Sequence, residues 1–279
     1  FYFTVEMSLL PKILEGKALQ YANEIHSIIW SFSYTLGMAL SGLLVYKVGV
    51  HTAFVIDGLL FILASFMLMG LQLDISFEKA KESFRNSFSE GLDYVKKNKK
   101  IIHLILMHAS VGFTVFDALV ALMAKQYYSS LFAIPLAIGI MHATRASALV
   151  VGPMLLGKWI QSSRVHYLFL IQGFGIMLWA TMIENFYLSL LGSFFAGFAT
   201  TTLWSYTYTL IQKHTDKNYY GRVVAYNDMV FLLTGASVSI NIGVFIEWGW
   251  SLSAVLGLLG LVFMLTAVYF IWIRKEYDV

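Results

Sequence analysis

Stretches of about 20 apolar residues, each closed by charged or turn-forming residues, recur along this sequence and restrict its fold more than any motif does. Eight are present, over approximately residues 25–46, 52–73, 101–124, 132–156, 166–183, 187–211, 224–246 and 251–273. A bilayer's hydrocarbon core is about 30 Å thick, and a helix rising about 1.5 Å per residue needs roughly 20 residues to cross it. Inside hydrocarbon every backbone N–H and C=O must be satisfied within the protein, which leaves helices or closed barrels, and barrel strands are about half as long as these runs. The expected fold is therefore all-α and polytopic, with about eight complete transmembrane helices. Composition agrees: 13% of residues are charged, against about 25% in an ordinary soluble domain.

The formal charge of +3 does not point to nucleic acid, because the basic residues lie in short segments between apolar runs rather than along one stripe. Without cysteine the chain has no disulfides, thiolate metal sites or cysteine nucleophiles. It also carries no phosphate-binding Gly-x-x-x-x-Gly-Lys-Ser/Thr loop, no His-Glu-x-x-His, no nucleophile elbow and no clustered Asp pair. No enzyme activity, cofactor or metal is expected. Of the 19 Lys and Arg residues, sixteen fall in segments 1–23, 74–100, 157–165, 212–223 and the tail after 273. Lys47 and Lys125 occupy the opposite loops, and Arg145 lies within a run. Basic loops are retained in the cytoplasm, so this asymmetry predicts cytoplasmic placement for both ends.

Segment 74–100 separates two runs from six. Its Phe77, Phe84, Phe88, Leu92 and Val95 recur at helical spacing, which predicts an amphipathic helix on the inner membrane surface, ending in the basic cluster Lys96-Lys97-Asn98-Lys99-Lys100. Tyr21-Ala22-Asn23-Glu24 and Ala225-Tyr226-Asn227-Asp228 precede similar runs, and the turns that follow, Val48-Gly49-Val50 and Trp248-Gly249-Trp250, are also alike. This weak repeat, offset by about six spans, suggests parallel halves of six helices. Phe1 to Leu10 reads as the tail of an apolar segment, so about 100 further residues are expected before it. The predicted division is 1–73 as the end of a first bundle, 74–100 as linker and 101–279 as a second bundle.

Several stretches resemble the major facilitator superfamily, and most closely its bacterial drug and siderophore exporters. They are Leu10-Pro11-Lys12-Ile13-Leu14, Leu19, Ala22-Asn23, the Gly37 to Gly42 segment, Ala53-Phe54 with Asp57, Glu90-Gly91-Leu92-Asp93-Tyr94-Val95 and Gly221-Arg222-Val223. Two stretches depart from the pattern. Leu36-Gly37-Met38-Ala39-Leu40-Ser41-Gly42 lacks the exporters' proline, and Gln161 in the 157–164 loop replaces an expected aspartate. The resemblance implies a twelve-helix, two-bundle fold in a bacterial inner membrane. It further implies a central cavity, alternating access, export of hydrophobic or amphiphilic solutes by proton antiport, and a monomer in contact with membrane lipids.

Ionisable groups within spans cost roughly 2.5 to 3.5 kcal/mol on insertion scales, which singles out Asp117 and Arg145. At about 1.5 Å per residue, Asp117 lies about 24 Å above the inner end of its span, Arg145 about 17 Å and His108 about 10 Å. An Asp117–Arg145 ion pair is the first expectation, with His108, similarly close below Arg145, the alternative neighbour of the guanidinium. Arg145 is equally a packing or gate residue, and Asp117 equally a wetted carboxylate at the outer mouth. Imidazoles titrate near neutrality, so His108 and His142 are candidate relays, although a lone helical histidine often only bonds a neighbour. Thr201, Trp204 and Tyr208 share one face of the span that lines the cavity in the superfamily, where an aromatic wall suits an amphiphile and Asp117 adds charge recognition. The alternative is packing between helices. Glu24 and Asp228 stand at helix starts, where negative charge is favoured, and with Asp57 are candidate coupling or gating residues. Gly37, Gly42, Gly192 and Gly197 allow close helix approach. Competing functions are uptake by the same fold, a non-transporting sensor and a lipid-modifying enzyme.

Overall fold

The computed structural model describes residues 29, 33, 34, 36–70, 84–114, 116–216 and 218–279. Among them every regular element is helical, and seven helical stretches are long and apolar enough to cross a membrane. Glu24 and Phe77 lie outside the described residues, as does the segment before residue 29.

The first two helices, α1 (Leu36–Val48) and α2 (Val50–Met69), are joined by Gly49 alone. Apolar side chains cover most of α2, and none of its residues is buried against the protein. The amphipathic segment forms α3 (Phe84–Lys97), and Asn98 separates it from α4 (Lys99–Ala109). A 3-10 turn, Ser110–Thr114, leads to α5 (Asp117–Gln126), so the run expected as one helix over 101–124 is built from two. After α6 (Ile134–Leu156) and α7 (Val165–Met182), a second long stretch also divides, at Ala199, into α8 (Phe186–Phe198) and α9 (Thr200–His214). The last two helices are α10 (Tyr220–Glu247) and α11 (Leu252–Tyr277).

The turns compared in the sequence are alike in backbone. Gly49 and Gly249 have φ of 81° and 86°, and no other described glycine has positive φ. Only glycine enters that region without a Cβ penalty. At the second turn Trp250 N–H bonds back to Phe245 O, closing α10 before Ser251 caps α11 through the Ala254 N–H.

Small residues set the tightest crossings. A Cβ on Gly42 of α1 would fall 2.7 Å from the Gly139 Cα of α6, so two backbones touch there. Gly192 and Gly197 are similarly closed in by Trp179 and Arg145, whereas nothing lies within 4 Å of a Cβ placed on Gly37. Phe116, Phe169, Trp179 and Phe263 fill the core of α5 to α11. Trp179 Nε1–H donates to Ser189 Oγ at 2.9 Å, which satisfies the one polar atom of its ring.

Protein contacts cover part of α3. Tyr94 stacks on Tyr219 with centroids 4.3 Å apart, Tyr226 donates to the Phe88 carbonyl, and Arg222 meets Glu90 at 3.2 Å. The helix therefore docks on the start of α10, and Phe88 remains exposed on its apolar side.

Candidate functional site

The break between α4 and α5 organises the site. Ser110 and Thr114 turn their hydroxyls onto the carbonyls of Met107 and Val111, at 2.6 and 2.8 Å, and so compete with continued helix. Gly112 adds poor helix propensity and lets the turn sit against α10, where a Cβ would lie 3.1 Å from the Phe231 carbonyl.

Two residues of α6, three apart and on one face, meet the two sides of this break. Arg145 Nη2 donates to the Thr114 carbonyl at 2.8 Å, capping backbone that has no helical partner, and its guanidinium carbon lies 4.8 Å from the centre of the Phe116 ring. His142 Nε2 lies 3.5 Å from Asp117 Oδ1 in the first turn of α5. The Asp117 side chain is 62% exposed and that of His142 only 7%. The carboxylate thus pairs with His142 in place of the expected Arg145, which has Asp117 and Tyr34 within electrostatic range. His108, the other expected neighbour of Arg145, is engaged elsewhere.

Below the break, His108 is wholly buried among aromatic rings. Trp204, Tyr208 and Phe231 have centroids 5.6, 5.5 and 5.4 Å from the imidazole, and Trp204 stacks on Tyr208 at 5.1 Å. The Thr207 hydroxyl has a single proton, directed to the Leu203 carbonyl at 2.7 Å, so His108 Nδ1–H donates to Thr207 Oγ1 at 2.8 Å. A neutral ring then leaves Nε2 as a buried acceptor, and it has no described partner.

Sequence reasoning found Trp204, Tyr208 and His108 but missed Phe231 and Thr207. Thr207 follows Trp204 by three residues, a spacing that could have placed it beside the rings. A single phenylalanine in an apolar span carries no such signal. Thr201 is half-buried and takes no part in this ring cluster, its carbonyl accepting from Ser205 Oγ. Asp228 was expected at a helix start but lies more than two turns inside α10, which begins at Tyr220; it accepts from Asn227 Nδ2 at 3.3 Å and lies within electrostatic range of Tyr208. Asp57 is exposed on α2 and forms no ion pair among the described residues.

The family model described as Major Facilitator Superfamily matches residues 1–236, most of the chain. The chain belongs to this superfamily. It therefore has the all-α, polytopic fold of a major facilitator protein and belongs to a family of secondary transporters, not of enzymes. No curated protein matches it. In this major facilitator protein the divided span supplies irregular backbone at membrane depth, which is tolerated only where protein or a water-filled cavity encloses it. Here Arg145 and α10 do so.

Proposed function

We propose that the protein exports a hydrophobic or amphiphilic small molecule by alternating access, taking up protons in exchange. The observation that carries this reading is the break between α4 and α5, which sets a titratable pair, Asp117 and His142, one side of it and the His108 aromatic box on the other. A proton taken up by the Asp117–His142 pair changes its net charge, so occupancy by a proton changes what holds α5 to α6. The box offers flat apolar faces and one imidazole acceptor, a chemistry suited to an aromatic amphiphile.

In this reading Trp204, Tyr208 and Phe231 contact the solute and Asp117, His142 and Arg145 form the coupling region. Asp228, Glu24 and Asp57 serve gating. The protein works as a monomer in a bacterial inner membrane with its C-terminus in the cytoplasm, and the lipids around it are its neighbours. Segments 1–73 and 101–279 act as two bundles joined by α3, and neither nucleic acid nor a cofactor takes part.

The test is flux in proteoliposomes across a panel of lipophilic fluorescent solutes, with an imposed proton gradient and Asp117→Asn for comparison. Solute should move opposite to protons, and the variant should keep downhill flux while losing its response to the gradient. Solute that follows protons would establish uptake instead. An unchanged gradient response in the variant would remove Asp117 from coupling.

A further inference from the structure

Among the described residues Arg145 is a buried cation without a carboxylate partner. Only 7% of the residue is exposed, and among the described residues no Asp or Glu forms an ion pair with it. One of its N–H groups donates to a neutral carbonyl, that of Thr114, and the Phe116 ring covers one face. Its Nε–H is buried and has no acceptor among the described residues. Asp117, the carboxylate within electrostatic range, is already beside His142 and is mostly exposed. Buried guanidinium groups are ordinarily satisfied by carboxylate or phosphate, because the cost of removing the charge from water is returned only by charge-assisted hydrogen bonds.

The position of this cation also bears on its use. Tyr34, from the chain segment leading into α1, is within electrostatic range of the guanidinium, while Phe116 and Thr114 flank it from the broken span. Arg145 thus lies where the chain before α3 meets the chain after it. Six residues separate Thr114 from His108, or roughly 10 Å along the span. A two-ring body with a short acidic arm covers that distance.

We infer that the solute is an amphiphilic anion, whose planar carboxylate is the absent partner of Arg145 and whose aromatic body reaches toward the His108 box. This rests on the transport reading for the route the solute takes, while the binding itself can be measured without flux. Arginine fits the role better than lysine because its planar fork matches a carboxylate with paired hydrogen bonds.

The experiment uses the purified full chain in nanodiscs and three probes of equal ring size: 2-naphthoate, the neutral 2-naphthylmethanol and the cationic 2-naphthylmethylamine. Quenching of tryptophan fluorescence reports occupancy next to Trp204. Naphthoate should bind the unmodified protein about ten- to hundredfold more tightly than the alcohol, the range expected of a hydrogen bond to a charged group. Arg145→Gln should remove that preference and leave alcohol binding unchanged, and Arg145→Lys should keep part of it. The comparison of three probes needs no variant, so it holds even if Arg145→Gln does not fold. Alcohol or amine binding as tight as naphthoate would overturn the inference, as would an undiminished preference in Arg145→Gln. Tight naphthoate binding with no flux in proteoliposomes would leave the anion site standing and overturn the transport reading, whereas flux without acid preference would do the reverse.

Discussion

Replacing Thr207 by valine tests the arrangement around His108 with little change of shape. Both residues are wholly buried, and the Thr207 hydroxyl is the described hydrogen-bond partner of the imidazole. Removing it strands Nδ1–H in an apolar box where Nε2 already has no partner, and an unsatisfied buried polar group costs about 1 to 3 kcal/mol. For a domain of 150 to 250 residues each kcal/mol moves Tm by roughly 2 to 4 °C, so a fall of roughly 2 to 12 °C is expected. His108→Phe in the same background removes the stranded group and leaves one more aromatic ring. Replacing both partners by apolar groups of similar shape is close to neutral, so the double variant should recover most of the loss. The coupling in the cycle of four proteins should be about 1 to 2 kcal/mol. Thermal unfolding in one detergent, at a fixed scan rate followed by tryptophan fluorescence, provides the comparison. A harmless Thr207→Val, or a double variant as unstable as the two single changes added, would refute the pairing deduced from the hydroxyl's single proton.

Gly152→Leu should sharply lower the yield of folded protein, because even a Cβ there would run into the Phe198 carbonyl of α8, and overpacking costs about 1 to 3 kcal/mol or more; normal yield and a symmetrical gel-filtration peak would contradict the crossing. Tyr128, in the link between α5 and α6, donates its hydroxyl to the Ile183 carbonyl, and burial pushes its pKa above the usual tyrosine value. The unfolded chain therefore loses this proton first as pH rises, so stability from Tyr128 is complete below about pH 10 and is lost above it. Tyr128→Phe should cost about 1 kcal/mol at neutral pH and flatten the alkaline fall in Tm, and an unaltered slope would count against a buried hydroxyl.

The fold was legible because hydrocarbon thickness sets a length that apolar runs either reach or do not. Continuity was not, because a hydropathy window averages over a turn such as Ser110–Thr114 and registers no missing helical bond. The second division, at Ala199, went unnoticed for the same reason, although Thr200, Thr201 and Thr202 form a β-branched run of poor helix formers just after it. Both divisions are held by a side chain from a neighbouring helix: Arg145 bonds the Thr114 carbonyl, and Gln172 bonds that of Ala196 while accepting from Thr200. Neither partner could be known before α6 and α7 were placed. The rise per residue did contain part of the Asp117 answer. His142 is one turn further out than Arg145, about 4.5 Å, and so stands closer to the height of Asp117. Charge suggested arginine, but axial position favoured histidine. The aromatic face of α9 was legible from the spacing of Trp204 and Tyr208, whereas Phe231 reached it only through the packing of α10.

The glycine turns at 49 and 249 bear on how such a molecule can move. A single residue links α1 to α2, and a hydrogen-bonded reversal followed at once by a helix cap links α10 to α11. These links contain almost no slack, so neither helix of a pair can slide or rotate far without unwinding its neighbour. Each short link is therefore stiff, and displacement is absorbed more readily where the chain is already irregular, at Ser110–Thr114 and Ala199. Rigidity at the turns and compliance within the spans would make the helix pair, rather than the helix, the smallest mechanical part.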